Sequence, residues 1–314
     1  YEQRTTPQLL AGLASWSPFV RGRSAAALGQ RDGDHLPALL KMLAGKDRDA
    51  RYGAIEALGA LGPRADAAAP QLRACLTETD PWVQSLAAEA MPQLSPELRK
   101  ACVSDLLDMT LRENAADPRR MAQRAASIAL FAPFPGKRTP RSILTDSLDG
   151  VDRALLHPAI ESLLQNEDPI VRGSLAKSYQ KLSDEDLVRL LPAIVKAIEK
   201  PAPSNEMFAD GVRLAGLDLL SRLHIREGMA LTLQVIEPQR WGEKNRSKAC
   251  LDYLKRYGKH TQAILPQLAD IRAQLVAANK SKQHLAEFDE QVAALSASTE
   301  MPTLVDLKAF KVAP

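Results

Sequence analysis

The sequence predicts an all-α fold, an α-solenoid in which about seven helical hairpins form a right-handed superhelix closed by a C-terminal capping helix. Three observations predict it: an amphipathic helical pattern that recurs, a proline marker at constant distance from it, and the composition. Hydrophobic residues make up 45% of the 314 residues and aromatic residues only 4%. A core of Leu, Ala, Ile and Val therefore favours close-packed helices over a β-sandwich.

One helical pattern recurs along the chain around an anchor position, which we place at Arg21, Arg51, Gln84, Met121, Arg172, Arg213 and Arg246. The residues one before, four after and seven after the anchor are mostly apolar, as at Val20, Ala25 and Leu28. These offsets lie on one face of an α-helix, so each block predicts an amphipathic helix. The third residue after the anchor is usually small, which lets a neighbouring helix approach closely.

The starts and ends of these helices carry their own signals. Ser17, Asp80, Asp117 and Asp168 each precede a proline, and we expect them to be N-caps with proline in the first helical position. Two glycines, Gly29 and Gly59, stand where left-handed C-terminal caps are expected.

A first helix is predicted before each anchor helix by a Pro-x-apolar marker, at Pro7, Pro37, Pro70, Pro158, Pro192 and Pro266. In four repeats the proline precedes the anchor by 14 residues, as from Pro7 to Arg21. Between Pro192 and Arg213 the distance is 21 residues, which coincides with the turn-rich stretch 200–205. Two markers at a fixed separation indicate a repeated helical hairpin.

The spacing of the anchors divides the chain into a repeat array at 1–280 and a terminal helix with a tail at 281–314. Insertions are predicted near 131–152 and 200–208. The fourth repeat is degenerate, since Met121 replaces the arginine and Arg124 stands where a small residue is usual. The segment 281–298 is predicted to be the helix that covers the end of the stack.

Several classes of protein are disfavoured by composition. The net charge of +3 is nearly balanced, so it gives no general case for nucleic-acid binding. Three dispersed cysteines indicate neither a disulfide framework nor a zinc site. No run of 18 apolar residues exists, so we expect no membrane insertion. The chain starts at Tyr1 with no initiator Met and no signal peptide, so we interpret it as a piece of a longer protein, and its compartment is not predicted.

Motifs for catalysis were sought and none was found. The five histidines have no i, i+4 partner and no HExxH, and there is no GxSxG, Walker or GxGxxG motif. The acidic pair Glu185 and Asp186 is explained by a helix start beside Ser183. We therefore predict no catalytic residue, no metal site and no cofactor.

The residues at 47–59 (DRDARYGAIEALG) and 168–172 (DPIVR) resemble HEAT repeats, including the short variants of bacterial lyases, and the resemblance covers about residues 5–275. It implies that the anchor arginines form an internal ladder with carboxylates of adjacent repeats, with a ligand-facing role as the alternative. The chain also looks like the helical region of large bacterial proteins, many of them exported, on the stretch 199–220. That resemblance implies export.

A binding face is predicted one and five positions after the anchors, at Tyr52, Glu56, Ser85, Glu89, Lys177 and Asp218. This mixture of side chains indicates recognition of protein or peptide more than of lipid. Two tryptophans near repeat starts, Trp82 and Trp241, are either aromatic anchors of that face or core fillers beside the caps.

A local excess of positive charge lies at 118–145, which contains no acidic residue and holds Arg119, Arg120, Arg124, Lys137, Arg138 and Arg141. With Phe131 and Phe134 beside them, these cations suit a phosphate, sulfate or carboxylate polymer. The alternative is a solvated loop that the two rings anchor to the stack.

Three functions follow as hypotheses. The favoured one is a non-enzymatic scaffold, monomeric in isolation, that binds a protein or peptide segment, such as another domain of its own polypeptide. The second is a polyanion binder, with the DNA backbone or a sulfated glycan as ligand, through residues 119–141. The third is an accessory part of a larger enzyme, on the resemblance to bilin lyases, for which no specific residue is found.

Overall fold

The computed structural model describes residues 1–132, 142–144, 147–200 and 207–310, with only the helical backbone at 207–209. These residues form two compact units, 1–163 and 164–314. Within the described ranges the secondary structure is helical, apart from one isolated parallel bridge between Ile225 and Val305. The prediction of an all-α fold is confirmed.

Unit 1 contains ten α-helices in the described residues. They are α1 (Thr6–Leu13), α2 (Pro18–Gly29), α3 (Leu36–Leu43), α4 (Arg48–Leu61), α5 (Ala69–Cys75), α6 (Pro81–Ala90), α7 (Pro96–Ala101), α8 (Val103–Leu111), α9 (Met121–Phe131) and α10 (Arg153–Leu164), which ends at the unit boundary. Short 3₁₀ segments occupy Gly62–Ala68 and Met91–Gln93.

Unit 2 continues with seven α-helices in its described part. They are α11 (Pro169–Ser174), α12 (Asp184–Glu199), α13 (Met207–Arg222), α14 (Glu227–Ile236), α15 (Glu243–Lys255), α16 (Leu265–Ala277) and α17 (Lys282–Ser296). Additional 3₁₀ segments lie at Leu175–Lys181, Gly258–Ile264 and Leu307–Ala309.

The anchor helices form one layer in each unit, which confirms the hairpin repeats. In unit 1, α2, α4, α6 and α9 pack side by side in that order, and α1, α3, α5 and α8 each pack on the following anchor helix. In unit 2, the anchor helices α11, α13 and α15 and the terminal helix α17 pack in sequence, with α12, α14 and α16 against α13, α15 and α17. Each hairpin thus buries its apolar stripe against the next hairpin.

The helix starts confirm two of the four predicted N-caps, at Asp80 and Asp168, whereas α9 begins at Met121 and not after Asp117. The Asp80 and Asp168 carboxylates accept hydrogen bonds from Trp82 N and Ile170 N, at 2.9 and 2.8 Å. Ser17 precedes α2 without a side-chain cap bond. Asp117 caps from further away, since its Oδ2 accepts from Ala122 N at 2.9 Å.

Gly29 and Gly59 are not left-handed caps, and the prediction for them is wrong. Neither glycine has positive φ. They lie where consecutive anchor helices approach closely: a Cβ on Gly29 would stand 2.5 Å from the Ala60 carbonyl oxygen, and one on Gly59 3.2 Å from the Ala90 Cβ. The absence of a side chain is therefore required by packing.

The fourth anchor is Gln123, two residues after the predicted Met121. Gln123 is buried and its Nε2 donates to the Thr110 carbonyl at 2.5 Å, whereas Met121 is half-buried. In this register the third residue after the anchor is the small Ala126, and Arg124 falls one position after the anchor on the exposed side. The repeat is therefore regular, and its arginine has been replaced by glutamine.

Two of the proline markers lie inside helices. Pro158 and Pro192 stand within α10 and α12, which begin at Arg153 and Asp184. A proline in mid-helix removes one backbone donor but does not set the start. For α12 the start is set by a capping box in which Ser183 and Asp186 exchange side-chain and backbone hydrogen bonds.

Candidate functional site

The anchor arginines of unit 1 bind within the stack. The Arg21 guanidinium donates to the carbonyls of Ser15 and Trp16 and to Asp49 of the next repeat at 2.9 to 3.2 Å. Arg51 donates to the Leu43 carbonyl and to both carboxylate oxygens of Glu78, at 2.5 and 2.7 Å. The predicted internal ladder is confirmed here.

In unit 2 the ladder becomes a network of three arginines and two acids. Arg213 and Arg240 both bind Glu237, and Arg240 and Arg246 both bind Asp210. The Arg246 side chain is 2% exposed and also donates to four backbone carbonyls. These charges are therefore used to join repeats and not to face a ligand.

Two residues of the predicted binding face are buried. Tyr52 is 5% exposed and its hydroxyl donates to Asp80 Oδ2 at 2.6 Å. Burial and this hydrogen bond raise the pKa of Tyr52. Ser85 is 6% exposed and donates to the Pro81 carbonyl of its own helix. The Tyr52 contact joins two consecutive repeats, whereas the Ser85 bond lies within α6.

Glu56 and Glu89 lie on the neighbouring helices α4 and α6, and the charge of Glu89 acts on Glu56. Burial raises the pKa of Glu56 to about 7, with a further increase from Glu89, although Arg21 lowers it. The Arg21 Nε lies 3.9 Å from Glu56 Oε1. Desolvation also raises the pKa of Glu89, which is an exposed residue of α6. The two acids are short of positive charge.

The predicted face residues of unit 2 are placed differently. Lys177 is exposed, within the 3₁₀ segment that follows α11. Asp218 is half-buried and accepts from Arg222 at 3.1 Å and from Arg256 at 2.7 Å. Asp218 therefore already has two cationic partners within its unit.

The exposed aromatic side chains form the strongest surface feature. Trp82 is 51% exposed and Trp241 is 60% exposed, so neither is a core filler. Two more were missed from the sequence, Trp16 at 82% and Phe19 at 65%. Phe19 stands two residues before its anchor, as Trp82 does, and this shared offset is the signal that would have found it.

Two of the exposed aromatic residues and three charged residues lie on the anchor helices of unit 1 and define a candidate binding face. This second-helix face consists of Phe19, Glu56, Trp82, Glu89 and Arg124, on α2, α4, α6 and α9. Phe19 and Trp82 stand two positions before their anchors, and Glu56 and Glu89 stand five positions after theirs, so these four residues share one side of their helices. The face combines aromatic rings with two acids and one arginine.

The basic segment is described only in part. Arg119 and Arg120 are exposed before α9, and Arg120 has a left-handed backbone with φ of 51°. Arg124 belongs to the second-helix face. The other three cations, Lys137, Arg138 and Arg141, lie outside the described residues, as does Phe134, whereas Phe131 is buried in α9.

A buried cluster in unit 2 joins residues that sequence reasoning treated as separate. His284 Nε2 lies 2.8 Å from Glu243 Oε1, which also accepts from Ser247, and Lys280 lies 3.4 Å from Oε2. The carboxylate stands between the hydroxyl and the imidazole, so the histidine does not receive the serine proton as in a catalytic triad. The cluster joins α15 to α17.

Three further observations limit the chemistry of the chain. Burial raises the pKa of each cysteine thiol to about 12, so thiolate formation is suppressed. Among the described residues, no group of three acidic, histidine or cysteine side chains is placed to hold a metal ion. No helix in those ranges has the length and apolar character to cross a membrane.

Comparison with known proteins agrees with this geometry. Residues 6–92, the first three hairpins, match the family model of HEAT repeats. Similar solved structures include the complex of CpcE and CpcF of phycocyanin lyase from Nostoc sp. PCC7120, with 20% identity over 88% of this chain and 95% of that chain and a TM-score of 0.40. An engineered protein has 19% identity over 70% of this chain and 98% of that chain, with a TM-score of 0.38.

The family match places HEAT-type repeats at residues 6–92, in a chain whose described residues are helical. The two structural similarities are too distant to carry an argument about activity. No curated protein matches the sequence.

Proposed function

We propose that the chain is a non-enzymatic scaffold that binds a protein or peptide segment, including one of its own polypeptide, along the second-helix face. The observation that carries the proposal is the exposure of Phe19 and Trp82 at equivalent positions of two repeats. Large aromatic side chains at the centre of an interface contribute much of the binding energy. Their exposure costs free energy that a partner would recover.

The acidic residues of the second-helix face indicate the charge of the bound segment. Burial and the charge of Glu89 both raise the pKa of Glu56, and the Arg21 contact to Glu56 is long. A lysine or arginine of the bound segment would supply the missing positive charge. The bound segment should therefore combine apolar side chains for Phe19 and Trp82 with a basic side chain between them.

The spacing of the helices sets the length of that segment. Phe19 and Trp82 are separated by two helix-to-helix steps, about 20 Å in total. An extended segment of about six residues covers this distance.

Peptide selection tests the proposal. Phage-displayed peptides of about 12 residues would be selected on the immobilised chain and measured by isothermal titration calorimetry. We expect basic and aromatic or aliphatic peptides to be enriched, and Phe19→Ser with Trp82→Ser to weaken them at least tenfold. Trp241→Ser is the matched control, since it removes an exposed tryptophan from unit 2. Equal binding by the double variant would exclude this face.

A polyanion ligand is the second candidate, favoured by the exposure of Arg119, Arg120 and Arg124. Such binding would weaken steeply with salt, with a slope near −0.9 per phosphate contact on a logarithmic scale for B-DNA. Absence of binding to heparin and to DNA at about 50 mM salt would end this candidate. An accessory role in a larger enzyme would use the same protein-binding face.

A further inference from the structure

A cleft of about 810 Å³ opens in unit 1 at the loops that precede α6 and α9. It lies between the third and fourth repeats and is lined by both of their anchors, Gln84 and Gln123. Loop residues Thr79, Glu113 and Asn114 complete the wall, and Arg120 stands at the rim. The cleft is separate from the residues that define the second-helix face.

The cleft occurs where the arginine ladder is interrupted. At the other anchors, such as Arg21, Arg51 and Arg213, a guanidinium binds backbone carbonyls at or after the end of the preceding helix, together with a carboxylate of the adjacent repeat. Glutamine is shorter and has no charge. Gln84 Nε2 reaches only the Glu78 carbonyl at 2.6 Å, and Gln123 Nε2 reaches the Thr110 carbonyl.

The acceptors that a guanidinium would use remain in place. The carboxylates bound by Arg21, Arg51 and Arg213 follow them by 28, 27 and 24 residues. Glu113 follows Gln84 by 29 residues and lines the cleft, exposed. No arginine anchor is present to pair with it.

Two donor side chains of the cleft already make hydrogen bonds within the chain. Asn114 Nδ2 donates both to the Thr79 carbonyl and to Gln84 Oε1, at 3.3 and 3.2 Å, which uses both of its hydrogens. Arg112 follows α8, pairs with Asp108 and donates to the Leu76 carbonyl at 3.2 Å. The exposed carboxylate of Glu113 pairs with no cation among the described residues, so it suits a cationic donor, while Arg120 adds one positive charge to the lining.

We propose that this cleft receives the guanidinium of an arginine from a partner protein, which takes the position that the anchor arginine holds in other repeats. The guanidinium would donate to the Glu113 carboxylate and to the carbonyls around Gln84 and Gln123. The fork of donors on a guanidinium matches this arrangement better than the single ammonium of lysine. The cleft exceeds the size of one side chain, so the arginine enters with flanking backbone.

The test titrates the full chain with N-acetyl-arginine amide and, separately, with the lysine and glutamate analogues. Binding is measured from changes in the NMR chemical shifts of the chain. We expect saturable shifts in the side-chain amides of Gln84 and Gln123 with the arginine probe and at least fivefold weaker binding of the lysine probe. Gln84→Arg, which fills the cleft from within, should weaken the probe at least tenfold. Gln262→Arg adds the same charge at an exposed site of unit 2 and should leave binding unchanged.

Glu113→Gln is the second variant, in case Gln84→Arg does not fold. Because Glu113 is exposed, its substitution should not disturb folding. It should weaken the arginine probe at least threefold. Absence of saturable shifts, equal binding by Gln84→Arg, or tighter binding of the glutamate probe through Arg120 would overturn the proposal. None of these variants alters Phe19 or Trp82, so failure here leaves the second-helix face to its own test.

Discussion

The Tyr52 hydroxyl donates a 2.6 Å hydrogen bond to Asp80 across two consecutive repeats. The other carboxylate oxygen of Asp80 accepts from Trp82 N and caps α6. One acid thus both starts an anchor helix and joins it to the preceding anchor helix. The contact explains why Tyr52, predicted on a binding face, is instead part of the structure that positions Trp82.

Removal of this hydroxyl should destabilise the chain. Tyr52→Phe is expected to lower the free energy of unfolding by about 1 to 3 kcal/mol, because the Asp80 oxygen loses a donor. Urea denaturation followed by circular dichroism measures the change.

The matched control is Tyr179→Phe. The Tyr179 hydroxyl is buried and has no hydrogen-bond partner among the described residues. Its loss should therefore be neutral or stabilising. Similar losses in the two variants would contradict the role given to the Tyr52 contact.

The buried arginine network of unit 2 predicts a large effect of one substitution. Arg246→Leu is expected to cost about 3 to 5 kcal/mol, because Asp210 and Glu237 remain with one cation fewer in a poorly solvated site. Arg272→Leu breaks an exposed pair with Asp289 and should change the unfolding midpoint little. Denaturant curves that show equal effects would refute the distinction.

Substitution by alanine at two glycines on neighbouring anchor helices should change the free energy of unfolding in opposite directions. A Cβ on Gly53 would stand 2.1 Å from the Leu13 carbonyl oxygen, whereas one on Gly22 meets nothing within 4 Å. Gly53→Ala should cost about 1 to 3 kcal/mol through overpacking. Gly22→Ala should stabilise by up to about 1 kcal/mol, because alanine favours the helix. Thermal unfolding of both variants is the measurement, and a stabilising Gly53→Ala would show that the helices do not approach as described.

The raised pKa of Glu56 predicts a pH-dependent stability. The pKa of Glu56 is about 7 in the folded chain, against an ordinary value of 4.5, so folding takes up a proton between these pH values. The associated stability is complete below pH 4.5 and is lost as pH rises to about 7. Glu56→Gln should therefore stabilise the chain by about 1 to 3 kcal/mol at pH 8 and far less at pH 4. An equal gain at both values would show that titration of Glu56 is not the cause.

The C-terminal segment predicts a pattern of amide exchange. Val305 N donates to the His224 carbonyl at 3.0 Å, and Lys259 N donates to the Glu300 carbonyl at 2.7 Å. Met301, between these contacts, is 69% exposed. We expect the Val305 amide to exchange with deuterium at least tenfold more slowly than the Met301 amide, by NMR. Equal rates would show that the segment does not stay on unit 2.

Much of the fold followed from local signals in the sequence. The amphipathic period, the Asp-Pro caps at Asp80 and Asp168 and the recurring anchors fix where helices form, because helix formation depends on residues within one or two turns. The anchor ladder also followed, since a buried guanidinium requires acceptors wherever it recurs. The wrong register at Met121 arose because a glutamine anchor carries no charge to mark it.

The tertiary structure alone decided which residues remain at the surface. Burial of Tyr52 depends on Asp80, 28 residues away, and the meeting of His284 with Glu243 spans 41 residues. The close approach at Gly29 and Gly59 likewise depends on the neighbouring repeat. Local pattern determines helices and their apolar sides, whereas the exposure of Phe19 and Trp82 and the cleft beside Gln84 result from how successive hairpins fit together.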